Sequence, residues 1–353
     1  MLRCSDNPMK KIQNHIIHLL LLLLLAGSKS GYSQDIHFSQ FYEAPLLRNP
    51  SLAGIFTGDV RAQIVYRDQW NSVTNAFKSG SVNAEYKMPV GGGDDFITAG
   101  LQMLFDKAGT VALTTTHLLP AINYHKSLSS ERNMYLSVGF MGGLVQRRLD
   151  RSKITTDNQY VGGAYNPAVS DGETFINASY SNLDASVGAS FNSSFGEDQK
   201  NNMFLGLAYH HVNRPRNSFY RNVNAALYPK WVASGGVKFD VGDQAFFNLQ
   251  ADYSKQGPTS EIVGGAMYGY KIGDPEMPDY IVHFGAFMRI RDALIPAIKI
   301  DYNPFSIGLS YDVNVSQLKT ASQGRGGFEL SVTYIGFLNR DNSTREKVFC
   351  PRF

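Results

Sequence analysis

Histidines set beside serines or carboxylates would signal hydrolytic chemistry, and clustered cysteines or histidines would signal a metal site. The chain carries eight histidines and two cysteines. His210 and His211 are adjacent, so on a strand they face opposite ways and do not share one metal ion. His117, His125 and His283 have no glutamate or histidine at ligand spacing, and neither a G-x-S-x-G elbow nor an H-E-x-x-H motif occurs. Gly91–Gly93 is followed by Asp94 and Asp95, which repel phosphate, so this run reads as a turn. The stretch "DRSKITTDNQYVGGAYNPAVSDGETF" lacks the alternating acids of a calcium loop and reads as a polar surface loop. Cys4 lies in the leader, which leaves Cys350 alone and excludes a disulfide framework or a cysteine metal site. No catalytic set, cofactor or metal is expected.

What must position the remaining residues begins with the leader. In "MKKIQNHIIHLLLLLLLAGSKSGYSQD", starting at Met9, Lys10 and Lys11 precede an apolar run from Ile16 to Ala26 broken only by His18. The run is shorter than the roughly 20 residues of a membrane helix and fits the apolar core of a signal peptide. Residues 1–33 are read as that leader, with cleavage after Ser33 and Ser28 as the competing site. No cysteine follows at which a lipoprotein would be acylated. A net charge of +3 gives no indication of a nucleic-acid partner.

Beyond the leader, apolar and polar residues alternate with period two between turn-rich separators. Leu183, Ala185, Val187, Ala189 and Phe191 face one side of a strand, against Asp184, Ser186, Gly188 and Ser190. Ile307, Leu309, Tyr311 and Val313 repeat the pattern, as do Phe328, Leu330, Val332 and Tyr334. Strands are expected near 60–66, 80–88, 96–105, 118–126, 134–145, 183–192 and 203–211. A second series lies near 231–240, 245–254, 261–271, 280–290, 296–302, 305–314 and 328–337. A soluble sandwich is the competing reading. The apolar faces carry no charge, as lipid demands, and the opposite faces are rich in Gly, Ser, Asn and Asp. Aromatic residues gather near strand ends, among them Tyr86, Phe239, Tyr253, Tyr270, Tyr280 and Phe337. The expected fold is all-β: a transmembrane antiparallel β-barrel of about 14 strands, outer-membrane type.

With both termini on the periplasmic side, the connections after even strands are short ("PVGGGD", "SLSSER", "VGDQ", "NP"). The longest follow odd strands, from about Arg147 to Asn182 and from Val212 onward. This is the short-turn, long-loop asymmetry of outer-membrane barrels. The expected divisions are a signal peptide (1–33), a periplasmic N-terminal segment (34–59), the barrel (60–337) and a periplasmic tail (338–353).

Ahead of the first strand lies "QDIHFSQFYEAPLLRNPSLAG", and soon after it "YRDQW"; the chain ends "CPRF". Together these resemble the PorP/SprF family of type IX secretion system membrane proteins. The match runs through Asp35, His37, Phe38, Ser39, Gln40, Phe41 and Tyr42, then Asn49, Pro50, Ala53 and Gly54. It resumes at Tyr66, Arg67, Gln69 and Trp70, while Ile36 and Ser51 depart from the commoner Pro and Ala. Pro45 and Pro50 deny ladder donors and Gly54 permits a turn, so the entry segment is ordered and non-helical. It reads either as a periplasmic plug or docking surface, or as a lead-in closing the barrel floor. Arg67 and Trp70 are expected just beyond the first strand as a stacked rim anchor.

The resemblance implies a non-enzymatic outer-membrane component supporting export or surface anchoring of large adhesin-like cargo, and gliding motility where present. Implied partners are membrane lipid, the periplasmic lipoprotein ring and motor complex, and a secreted surface protein through its C-terminal domain. Candidate partner-binding residues are Phe38, Phe41, Tyr42, Asn49, Pro50, Gly54, Arg67, Gln69 and Trp70, with Cys350, Pro351, Arg352 and Phe353 in the tail. A porin-like channel for small solutes is the alternative, and an outer-membrane hydrolase lacks any catalytic pair.

Overall fold

The computed structural model describes residues 35–69, 77–91, 93–174, 177–196, 199–220, 225–316 and 322–338. The leader, Trp70 and the tail residues Cys350, Pro351, Arg352 and Phe353 lie outside the described residues. The strands in chain order are β1 (Val60–Gln69), β2 (Phe77–Pro89), β3 (Phe96–Ala108), β4 (Leu113–Ser129) and β5 (Met134–Arg148). A small hairpin, β6 (Tyr160–Val161) and β7 (Ala164–Tyr165), sits in the following loop. Then come β8 (Ser179–Phe195), β9 (Asn201–His210), β10 (Lys230–Val241), β11 (Ala245–Gln256) and β12 (Thr259–Gly273). The last are β13 (Pro278–Arg289), β14 (Ala293–Tyr302), β15 (Phe305–Asn314) and β16 (Arg325–Gly336).

All but the small hairpin form one closed antiparallel barrel of 14 strands, each beside its chain neighbours. β1 closes onto β16 in a register running from Val60–Gly336 to Gln69–Gly327. Every expected strand has its counterpart, one to one; most observed strands run a few residues beyond the expected ranges, β15 matches its range, and β9, β13 and β16 end one residue earlier than expected. Six short connections, such as 242–244 and 303–304, share one end of the barrel with the start of β1 and the end of β16. The described parts of the two longest connections, after β5 and after β9, lie at the other end.

The alternating faces are sorted as lipid contact requires. Leu183, Leu205, Leu207, Phe140 and Ile307 are exposed outward, while Asp184, Ser186, Ser190, Ser306 and Ser310 are buried inward. The aromatic residues near strand ends, Tyr86, Phe239, Tyr253, Tyr270 and Tyr280, are also exposed, as a girdle at the headgroup level would be. Leu205 stands mid-strand and 61% exposed. Leu205→Arg should therefore cost about 2–4 kcal/mol of folding into lipid. Denaturant-dependent folding into vesicles measures that loss. Leu205→Val, which keeps an apolar side chain on the outward face, would be the milder control.

The long neighbouring elements also correct one local expectation. His210 and His211 do not face opposite ways, since both are buried. β9 ends at His210, and His211 takes a positive φ of 57°, which turns its ring inward to Asp184 Oδ2 at 2.8 Å. His210 instead meets Ser186 Oγ at 3.0 Å and the Arg48 carbonyl at 3.1 Å. Among the described residues, no group of three or more His, Cys, Asp or Glu side chains is placed to hold a metal.

Candidate functional site: a lumen filled by the N-terminal segment

Eight strands make a barrel that side chains alone can fill, whereas sixteen to eighteen leave an aqueous channel. Fourteen leave an intermediate space, and here the chain's own residues from Ile36 to Asp59 occupy it. The sequence offers a periplasmic plug or docking surface, or a lead-in closing the barrel floor; in the structure the segment's side chains are buried against the inner wall. Phe38, Phe41, Tyr42, Leu46, Asn49 and Ser51 are each no more than 7% exposed.

Short turns let the segment fold compactly without a long helix. Phe41–Glu43 and Pro50–Leu52 are single 3-10 turns, and Pro45–Arg48 is one helical turn between them. Pro45 and Pro50 open their turns, where a missing N–H costs nothing. Asn49 caps the second, its Oδ1 accepting from Ser51 N at 2.9 Å. Gly54 has φ +84°, and a Cβ there would lie 2.1 Å from Thr98 Oγ1 on the wall. Only glycine satisfies both the left-handed turn and the close approach.

The wall grips this plug at several levels. Nearest the long-loop end, Glu329 accepts hydrogen bonds from Ser39 N (2.6 Å) and Gln40 N (2.8 Å). Arg67 donates to the His37 carbonyl at 2.7 Å and to Asp312 at 2.9 Å, while Arg289 donates to Ser39 Oγ at 2.6 Å. Glu43 accepts from Gln63 and Thr333, each at 3.0 Å, and pairs with Lys299 at 2.8 Å. Arg48 forks onto Asp252 at 2.8 and 2.5 Å, donates to Gln250 at 2.9 Å, and lies over the Phe41 ring. Toward the short-turn end, Asn123 donates to the carbonyls of Ser51 (2.6 Å) and Ala53 (2.8 Å). Glu85 accepts from Gly54 N at 2.7 Å and is paired with Arg61 at 2.7 Å, and Lys87 donates to the Phe56 carbonyl.

Apolar contacts fill the gaps between these polar clamps. Phe41 and Tyr42 pack on Val263, Met267, Phe287 and Ile295, with the Tyr42 and Phe287 rings stacked at 5.0 Å. Leu46 sits among Leu119, Ala121, Met141 and Val145, and Phe38 against Val65 and Leu104. Each such side chain contributes about 1.5–3 kcal/mol of burial. Inward glycines make room for the backbone. A Cβ on Gly139 would fall 2.5 Å from Pro50 C and Ser51 N, and one on Gly188 would fall 1.9 Å from Asn49 Oδ1. The Asn49 amide reaches through this space to the carbonyls of Ala189 and Leu207, each at 3.2 Å. Gly139→Val should therefore dislodge the Asn49–Ser51 turn while the barrel still closes. The expected readout is faster hydrogen exchange in 46–56 with unchanged protection in β5.

The site residues expected from sequence thus divide. Phe38, Phe41, Tyr42, Asn49, Pro50 and Gly54 come together in the lumen. Arg67 joins them from inside β1, so it is no rim anchor beyond that strand: its guanidinium is the hinge between His37, Asp312 and Glu329. Gln69 ends β1, half-buried, and pairs in register with Phe77 and Gly327. The sequence reading missed Glu329, Asp252, Glu85, Asn123 and Arg289. Their signal was present as charged or amide residues at inward positions of strands.

Among solved structures, the chain is similar to a TodX monoaromatic hydrocarbon channel variant at 11% identity. That match covers 83% of this chain and 93% of the channel, with a TM-score of 0.45. It is also similar to BamA from Haemophilus ducreyi lacking POTRA domains 1–3, at 8% identity over 79% of this chain and 70% of that one (TM-score 0.41). CdiB from Acinetobacter baumannii matches at 9% identity and TM-score 0.39 over 78% of this chain, which spans 60% of CdiB. No curated protein matches the chain. The model of the type IX secretion system membrane protein PorP/SprF family matches residues 30–334. With that match over most of its length, on a closed 14-stranded outer-membrane-type barrel, the chain belongs to the PorP/SprF family of type IX secretion membrane proteins.

Proposed function

We propose that this barrel is a sealed, non-enzymatic docking component of type IX secretion in the outer membrane, with the short turns in the periplasm and the long loops outside. It supports export or surface anchoring of large adhesin-like cargo by binding the cargo's C-terminal domain and the periplasmic lipoprotein ring and motor complex. The observation that carries this reading is the filled lumen. A barrel whose interior is clamped by Glu329, Arg48, Asn123 and Glu85 has its rims and loops left for recognition, and solute flow is not its work. The buried residues Phe38, Phe41, Tyr42, Asn49, Pro50 and Gly54 then serve partners indirectly, by holding the plug in one shape.

Gene deletion in a host that uses this system tests the proposal. Loss of one or more large surface proteins, restored by the full chain, is expected, along with co-purification of secretion-system lipoproteins from solubilised outer membrane. Unchanged surface proteins together with no such lipoproteins would sink it. The tail offers a sharper case. Arg345, Lys347 and Arg352 surround Val348, Phe349 and Phe353, a basic and apolar pattern suited to docking on a periplasmic partner. A chain ending at Asn339 should still insert as a barrel yet lose most cargo export. Normal export by that variant would remove the tail from the mechanism.

A further inference from the structure

The outer wall carries a second feature, unrelated to the plug. A cavity of about 490 Å³ opens at the long-loop end, lined by Arg214, Leu227, Tyr228, Pro229, Trp231 and Lys255 among others. Trp231 on β10 is in register with Lys255 on β11 and with Tyr209 on β9, so the three side chains share the outward face. The Tyr209 and Trp231 rings lie 4.4 Å apart, and Trp231 is 56% exposed. Above them stand Arg214 and residues 226–229 of the connection between β9 and β10. Its Leu227 N donates to the Pro215 carbonyl at 2.8 Å, and Gln256 Nε2 donates to the Tyr228 carbonyl at 3.3 Å. The Tyr228 ring rests on the β11–β12 turn, where a Cβ on Gly257 would come within 2.9 Å of it. The cavity therefore lies between Trp231 and Lys255 on the barrel and Leu227, Tyr228 and Pro229 of the connection.

Its chemistry is one-sided. The lining holds two cations, Arg214 and Lys255, and no acidic residue. Neither cation makes an ion pair among the described residues. Lys255 sits at the end of β11 and Arg214 in the connection after β9, while exposed Leu205 and Leu207 lie lower on the neighbouring strand. Charge above, aromatic rings at the boundary and aliphatic surface below reproduce the layering of a lipid with a phosphorylated headgroup. Trp and Tyr favour that boundary depth, and a guanidinium favours phosphate oxygens.

We propose that this cavity binds a phosphorylated lipid of the outer leaflet, Arg214 and Lys255 holding the phosphate and Trp231 packing against the upper acyl chains. The choice of leaflet rests on the long loops facing outward, but binding itself does not, so the test below is independent of the secretion reading. The purified full chain in micelles is titrated with monophosphoryl lipid A, and separately with the same lipid dephosphorylated, and adducts are counted by native mass spectrometry. A one-to-one adduct is expected, with R214A/K255A weakening it about thirtyfold and dephosphorylation weakening it similarly. W231A should weaken both lipids alike. Heat-modifiable electrophoretic mobility shows that each variant remains a closed barrel, and R214Q/K255Q replaces any that does not. Equal binding by wild type and the double variant would overturn the proposal. So would equal binding of the two lipids, or the absence of any adduct.

Discussion

A barrel lacking residues 36–56, but keeping its leader, is expected to give stepwise ion currents in a planar bilayer where the full chain holds a closed baseline. The expectation follows from circumference and contents. Fourteen strands enclose more space than inward side chains can fill, and this segment supplies the missing volume with Phe38, Phe41, Tyr42, Leu46, Leu52 and Phe56. Without it, Arg61, Glu85, Asp252, Arg289, Asp312 and Glu329 would line a charged lumen. Water can solvate those groups, so the strands should still close, and the empty barrel should conduct. A silent deletion variant with normal heat-modifiable mobility would mean that other residues seal the lumen. The same comparison tests the passive-channel reading, which requires the full chain itself to conduct.

Arg48→Ala should be the most destabilising single change within the plug. Its side chain is 6% exposed, and its guanidinium meets Asp252, Gln250 and the Phe41 ring. Removing it leaves the Asp252 carboxylate buried without its partner, a loss of about 3–5 kcal/mol. The same arithmetic predicts rescue. R48L/D252L removes both charges and should recover at least half of the loss, because a well-packed apolar pair often replaces a buried ion pair at little cost. Denaturant unfolding of the two variants in the same micelles makes the comparison. Arg48→Ala within 1 kcal/mol of wild type would show that water already reaches this pair, for which exposed ion pairs give about 0–1 kcal/mol.

The barrel was legible because lipid imposes a simple code. In β15 and β16, every outward residue from Ile307 to Val313 and from Phe328 to Tyr334 is apolar or aromatic, with polar residues between them, and one period suffices to read both faces. The plug was less legible, since its strength lies in pairings between positions some 200 to 290 residues apart, such as Arg48 with Asp252 and Ser39 with Glu329. Local patterning carries no record of such partners. Two clues were nonetheless present. Inward positions on β1 and β2 hold Arg61, Arg67, Glu85 and Lys87, too many charges for an inner face with nothing to neutralise them. Others hold Val65, Met141, Phe204 and Phe287, where alternation calls for polar residues. The expected first strand ends at Tyr66, whereas β1 continues through Arg67, an inward residue answering His37 and Asp312. The expected opposite facing of His210 and His211 fails for a different reason: β9 ends at His210, and the positive φ of His211 breaks the alternation.

Hydrogen exchange of the full chain in native-like membranes tests the seated plug most directly. The amides of Ser39, Gln40 and Gly54 donate to the buried carboxylates of Glu329 and Glu85. Peptides covering 38–56 should therefore exchange as slowly as those of β1 and β16. Exchange of those peptides as fast as the exposed loop at 162–172 would place the segment outside the lumen and contradict the account.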